Sequence, residues 1–217
     1  MGLWRGHADP LTWAWALLGA LVWLALVLAL RRGRIWLFYY LVAAVGWCFG
    51  LVLLLRELLP GEATLAMATA YSTHSLANLL DIPTRVFRSA PGLLLVLVIA
   101  QQSGWTALQI GLESSGLLEL SVLSGLLLFY PGMPFLRRLL SLAAGLVATY
   151  AANVLRVLLI VAVLHFAGKD SLLFAHTFLG RAFFFTATVA IYWYLMTRSS
   201  LQVLRERVLH ALGEEAA

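Results

Sequence analysis

Ser114 and Ser115 precede Gly116 at the head of an apolar run, and Glu119 follows four residues after Ser115 inside that run. A later apolar segment carries Asn153 and Arg156, and a third carries His176 and Arg181. A hydroxyl nucleophile needs a base within hydrogen-bond reach and a donor aimed at the developing oxyanion. Ser114 or Ser115, His176 and Arg156 fit those roles in that order. Gly116 lets a substrate backbone approach closely, and Asn153, three residues before Arg156, shares its helix face. Arg156 with Glu119 reads either as a buried ion pair that fixes helix packing or as part of a polar pocket open to the outer face. Arg181 is a second embedded cation, on a different face from His176. His74 and His165 fall on the same side of the membrane as His176 and are rival bases, whereas His7 and His210 belong to the termini.

The elements that must position these groups are membrane helices. With 62% hydrophobic and 12% charged residues among 217, and a mean hydropathy of +0.91, the chain is too apolar for a soluble globular domain. Several runs reach the roughly 20 apolar residues that cross a hydrocarbon core of about 30 Å. The composition predicts one polytopic all-α membrane domain with its backbone polar groups satisfied inside helices. A charge this embedded costs about 2.5–3.5 kcal/mol on insertion scales, so such groups face the bundle interior and pair. The net charge of +5 is no sign of nucleic-acid binding, because the arginines flank the apolar runs and follow topology. Cys48 is the single cysteine. It makes no intramolecular disulfide, no metal-type cysteine spacing exists, and neither a metal nor a cofactor is expected.

Five spans are predicted, at 11–30, 35–55, 114–130, 139–166 and 174–196. The first is an anchor and not a removed signal peptide, since no small-residue cleavage site precedes Arg31-Arg32-Gly33-Arg34. Residues 56–112 form an extracytoplasmic region. Its first part, 63–80, is a moderately apolar helix that lies along the interface or packs on the bundle. Residues 81–91 read as a loop, and 93–100 with 105–112 read as a short β-hairpin around Ser103-Gly104. Residues 201–217 are a cytoplasmic amphipathic tail. Arginines gather in the segments that are cytoplasmic when the first loop lies inside, which predicts an outside N-terminus, an inside C-terminus and a site near the outer face of the cell membrane.

Three short patterns in order resemble the exosortase/archaeosortase family of membrane transpeptidases. They are Ser114-Ser115-Gly116-Leu117, Asn153-Val154-Leu155-Arg156, and His176 followed four residues on by Gly180. The likeness covers roughly residues 75–196 and extends to the apolar hairpin before the first motif. Set beside that family's layout the chain is short, with fewer N-terminal spans. The resemblance implies catalytic positions at Ser114, Arg156 and His176, with Ser115, Gly116, Glu119, Asn153 and Arg181 in support. It implies a substrate class too: secreted proteins whose C-terminal sorting signal combines a short motif, a transmembrane helix and a basic cluster. The new C-terminus would pass to a lipid or glycan acceptor, or to water. The family's nucleophile is cysteine, and here that position holds serine, a weaker nucleophile that depends more heavily on a true general base. Three readings follow: a serine-type protease or transpeptidase, a non-catalytic relative that binds partner transmembrane tails, or a Cys→Ser variant. A small transporter subunit using Arg156, Arg181 and Glu119 as a charge relay is a further alternative.

Overall fold

The computed structural model describes residues 10–198 apart from 60, 91–92, 101–103 and 132; the 201–217 tail, His7 and His210 lie outside the described residues. The apolar runs form α1 (Pro10–Arg32) and α2 (Trp36–Leu53), the second continuing through a π-helical turn at Leu54–Leu58. Next come α3 (Gly61–Leu79), then β1 (Thr84–Ala90), β2 (Leu93–Ala100) and β3 (Gly104–Ile110). The chain re-enters the bundle through a single turn, α4 (Leu112–Ser115), and then α5 (Leu117–Leu128). The long α6 (Phe135–Ala167) follows. A π-helical turn at Phe174–Leu179 leads into α7 (Gly180–Tyr192), which ends in another at Trp193–Arg198.

Among the described residues, four helical stretches are long and apolar enough to cross a membrane: Ala14–Arg32, Trp36–Glu57, Phe135–Ala167 and Phe174–Met196. Leu117–Leu128 is a shorter apolar helix, about 18 Å at 1.5 Å per residue. The fold is thus an all-α polytopic membrane bundle with a small sheet at one end. The expected hairpin is present as β2 and β3, with residues 101–103 outside the described ones, but the sheet has a further strand. The 81–91 stretch, with its two prolines and two arginines, reads as loop, yet Thr84–Ala90 pairs antiparallel with β2 and makes it the middle of three strands, in the order β1-β2-β3. Strand pairing along an apolar neighbour outweighed local composition, as strand propensity commonly yields to context. The 63–80 helix resolves in favour of the bundle: α3 packs on α6, β1, β2 and α4 and buries Ala66, Thr69, Ala70, Thr73 and Ala77.

The core lies between α3, the sheet and α6. Ala66, Ala70, Ala77, Ile82, Leu108, Ile110, Val157, Ile160, Val161, Leu164 and Ala175 form one buried cluster. On the far side, α1, α2 and α5 are joined by hydrogen bonds from Trp23 Nε1 to the Val42 carbonyl (2.9 Å) and from Trp47 Nε1 to Ser124 Oγ (2.9 Å). Phe129 meets Trp23, Tyr39 and Trp47 edge-on at centroid distances of 6.1–6.4 Å. Close approach of helices in lipid relies on small residues. A Cβ at Gly125 would stand 2.8 Å from the Ala44 carbonyl oxygen, whereas one at Gly50 would meet nothing within 4 Å. Gly125→Ala should therefore force α2 and α5 apart and cost about 1–3 kcal/mol. Thermal unfolding in detergent should show a lowered midpoint for Gly125→Ala and an unchanged or slightly raised one for Gly50→Ala.

Candidate active site

The site begins where β3 stops. The Gly111 carbonyl accepts hydrogen bonds from the Ser114 and Ser115 N–H groups at 3.1 and 2.9 Å, which closes α4 directly behind the strand. Gly116 then adopts φ +79°, a left-handed conformation that strains any L side chain. The segment expected as a span at 114–130 is consequently a broken helix, with α4 and α5 on either side of Gly116. Backbone groups freed at a buried break need partners from the protein. Two side chains supply them here. Asn153 Nδ2, from a fully buried residue of α6, donates to the Ser114 carbonyl at 2.9 Å. Ser115 Oγ, also fully buried, accepts the Leu117 N–H at 3.3 Å. A Cβ at Gly116 would lie 3.1 Å from that same Asn153 Nδ2, so the glycine also makes room for the asparagine.

This arrangement separates the two serines, which the sequence left equivalent. Ser115 turns inward to brace the break, while Ser114 is partly exposed and tied through its main chain. Arg156 stands three residues along α6 from Asn153, partly buried, with its guanidinium carbon 4.7 Å from the centre of the Phe184 ring on α7. That stacking holds the cation over an aromatic face. Glu119 is half-buried in the first turn of α5, three residues beyond Gly116.

His176 sits in the π-helical turn before α7, half-buried beside the fully buried Ala175. The wider i→i+5 turn adds a residue and so resets which side chains face α6 above Gly180. A Cβ at Gly180 would meet Ile160 Cδ1 at 3.0 Å. That contact sets His176 about one turn further out than Ile160, with its backbone roughly 10 Å along the α6 axis from Arg156. Among the described residues the Ser114 hydroxyl and the His176 ring share no hydrogen bond. Ser114, Gly116 and Asn153 are therefore in direct contact, Arg156 adjoins them on α6, and His176 stands on the neighbouring helix at a higher level. Arg181 is exposed on α7.

The rival histidines have other surroundings. His74 Nδ1 lies 2.7 Å from Thr84 Oγ1, and its Nε2 accepts from Asn78 Nδ2 at 3.2 Å, so both ring nitrogens are engaged where α3 meets β1. His165 lies near the end of α6 with its ring edge-on to Phe166 at 4.9 Å. Among the described residues no three His, Cys, Asp or Glu side chains converge.

A polar seam between α3 and α6 was not foreseen from sequence. Ser72 Oγ and Tyr150 Oη are 3.0 Å apart. Thr69 and Thr73 on one helix and Thr149 on the other are fully buried, with hydroxyls that meet no hydrogen-bond partner among the described residues; Asn153 Oδ1 is the same. Thr149 and Tyr150 lie one turn before Asn153, so the seam runs up to the helix break. The Tyr71-Ser72-Thr73 run in an otherwise apolar helix was its only signal.

No curated protein and no solved structure matches this chain. The family model of the transmembrane exosortases does, over residues 3–193. That match spans most of the 217 residues and takes in the helix break at Gly116, the asparagine that closes it and the arginine one turn beyond; the chain belongs to the transmembrane exosortase family.

Proposed function

We propose that this protein is a serine-type membrane protease or transpeptidase that cuts C-terminal sorting signals of secreted proteins at the outer face of the membrane. The observation that carries this reading is the Asn153–Ser114 hydrogen bond across a left-handed glycine whose Cβ would crowd Asn153. It joins the first two family motifs and leaves the Ser114 hydroxyl as the accessible one of the pair. In the reaction, Ser114 Oγ attacks the scissile carbonyl and gives its proton to His176. The Arg156 guanidinium meets the oxyanion, and the leaving amine takes the proton from His176. A hydroxyl or amine of the acceptor, or water, then attacks the ester and frees Ser114. This reading requires the π-helical turn that carries His176 to move toward Ser114 when substrate binds, because the proton passes only across about 3 Å or through one water. The arginine distribution supports an outside N-terminus and an inside C-terminus.

Serine at the nucleophile position favours one other reading, a non-catalytic relative that grips partner transmembrane tails. Reactivity separates the two. A fluorophosphonate probe should label the protein and fail on Ser114→Ala, and a co-expressed secreted protein ending in motif, helix and basic cluster should shift in size. Ser114→Ala should reduce that processing by roughly a thousandfold or more, as loss of a nucleophile does in serine hydrolases. An unlabelled protein that still co-purifies with the uncut substrate would establish the binding reading instead.

Asn153 acts as a positioning residue. Asn153→Leu leaves the Ser114 carbonyl without its donor, a buried loss of about 1–3 kcal/mol. Processing should drop about tenfold to a hundredfold, chiefly in kcat, with detergent-solubilised protein still monodisperse. Gly116→Ala should act the same way. An unchanged kcat in both variants would separate the helix break from catalysis.

Sidedness is testable on its own. In a Cys48→Ser background, a cysteine at position 34 should be shielded from a membrane-impermeant maleimide applied to intact cells, and one at position 170 should react.

A further inference from the structure

β3 is the last strand of the sheet, so alternate N–H and C=O groups along its outer side point away from β2 with no described strand beside them. Proteins normally blunt such an edge with charge, proline or cover. The β3 sequence, Gly-Trp-Thr-Ala-Leu-Gln-Ile, has neither proline nor any charged residue. The opposite edge, β1, carries Arg85 and Arg88 and packs against α3. Among the described residues, one edge is therefore protected and the other meets no further strand. The open strand is also rigidly backed: Thr106, Leu108 and Ile110 are buried, the last two in the core with Val157, Ile160 and Val161 of α6.

The open strand leads straight to the nucleophile. Ile110 is followed by Gly111, whose carbonyl holds the Ser114 and Ser115 amides, so Ser114 lies about one helical turn, roughly 5 Å, past the end of the edge. A peptide strand added to β3 would run about 4.8 Å away from it and pass beside Ser114. Direction follows from topology. β3 runs toward α4 and α5, which enter the bundle, and a substrate anchored by a C-terminal helix also runs toward the bilayer.

We propose that the outer edge of β3 is the docking strand for the substrate. The extended segment just before the substrate's transmembrane helix adds to it in parallel, main chain to main chain, and is thereby delivered to Ser114. This rests on the protease or transpeptidase reading. Strand addition draws affinity from backbone hydrogen bonds and leaves side chains to set preference at alternate positions.

The test uses the full-length chain in membranes with Ser114→Ala to hold substrate uncut. The probe is a secreted reporter bearing a motif, transmembrane helix and basic cluster, taken from a secreted protein encoded alongside this chain. Photoreactive benzoylphenylalanine is placed at position 107 on β3 or at position 87 on β1. Crosslinks from position 107 should map to the reporter residues just before its transmembrane helix and exceed those from position 87 about tenfold. Crosslinks from position 87 alone would overturn the proposal. If the Ser114 protein processes the reporter but position 107 is silent, only the docking strand falls. If the reporter is neither processed nor crosslinked, the protease reading falls with it. Proline gives a second readout, because an edge strand tolerates it only where the N–H points outward. Of Thr106→Pro and Ala107→Pro, the one that keeps its melting temperature should raise the apparent KM roughly threefold to tenfold, the effect of one lost main-chain hydrogen bond. An unchanged KM in that variant would remove β3 from substrate binding.

Discussion

A helix interrupted in a protein interior leaves amide and carbonyl groups that need partners, and the rest of this structure depends on how that problem is met at Gly116. The left-handed glycine ends α4 and starts α5, the Asn153 side chain takes the Ser114 carbonyl, and Ser115 takes the Leu117 amide. Each freed group is costly when buried without a partner. The three residues therefore act as one unit: a side chain on Gly116 would push into Asn153, and loss of Asn153 would strip the donor from Ser114.

The unit works only because α6 presents Asn153 at the right height. At 33 residues, α6 is the mast against which α3, α5, α7 and the sheet all pack. Its buried stripe runs from Gly145 through Thr149, Ala152, Asn153 and Val157 to Leu164, and it changes character along its length. Near Gly145 it is smooth enough for Leu123 and Leu195 to approach closely. Around Asn153 it is polar and shared with the α3 seam, and beyond Val157 it is apolar and supports β3. The position of the helix break is thus set between a dry lower half and a firmly backed sheet. α1 and α2 reach α5 from the other side through Trp23, Trp47 and Phe129, and hold it upright against that mast.

Much of this was legible in the residues. Long apolar runs fix membrane helices because a span must cross about 30 Å of hydrocarbon with every backbone group paired internally, and the expected spans at 11–30, 35–55, 139–166 and 174–196 correspond to α1, α2, α6 and the Phe174–Met196 stretch. The three short motifs sufficed to suggest the family, since they place a small-residue turn, an amide and a cation at the heads and middles of successive spans.

Pairing and rotation were decided by the tertiary structure alone. Nothing local marks Thr84–Ala90 as a strand; it becomes one because the apolar β2 offers it a partner. Ser114 and Ser115 are identical in type and adjacent in sequence, and only packing of α4 against α3 and α6 turns one inward and leaves the other partly exposed. The π-helical turn at Phe174–Leu179 resets the face on which His176 stands, a rotation that no count of apolar residues predicts. The polar seam between Ser72 and Tyr150 needs two helices far apart in the chain to meet. Composition and spacing determine that segments enter a membrane and which chemical groups they carry. The height and direction in which those groups meet follow from contacts between segments, which a single chain of letters does not contain.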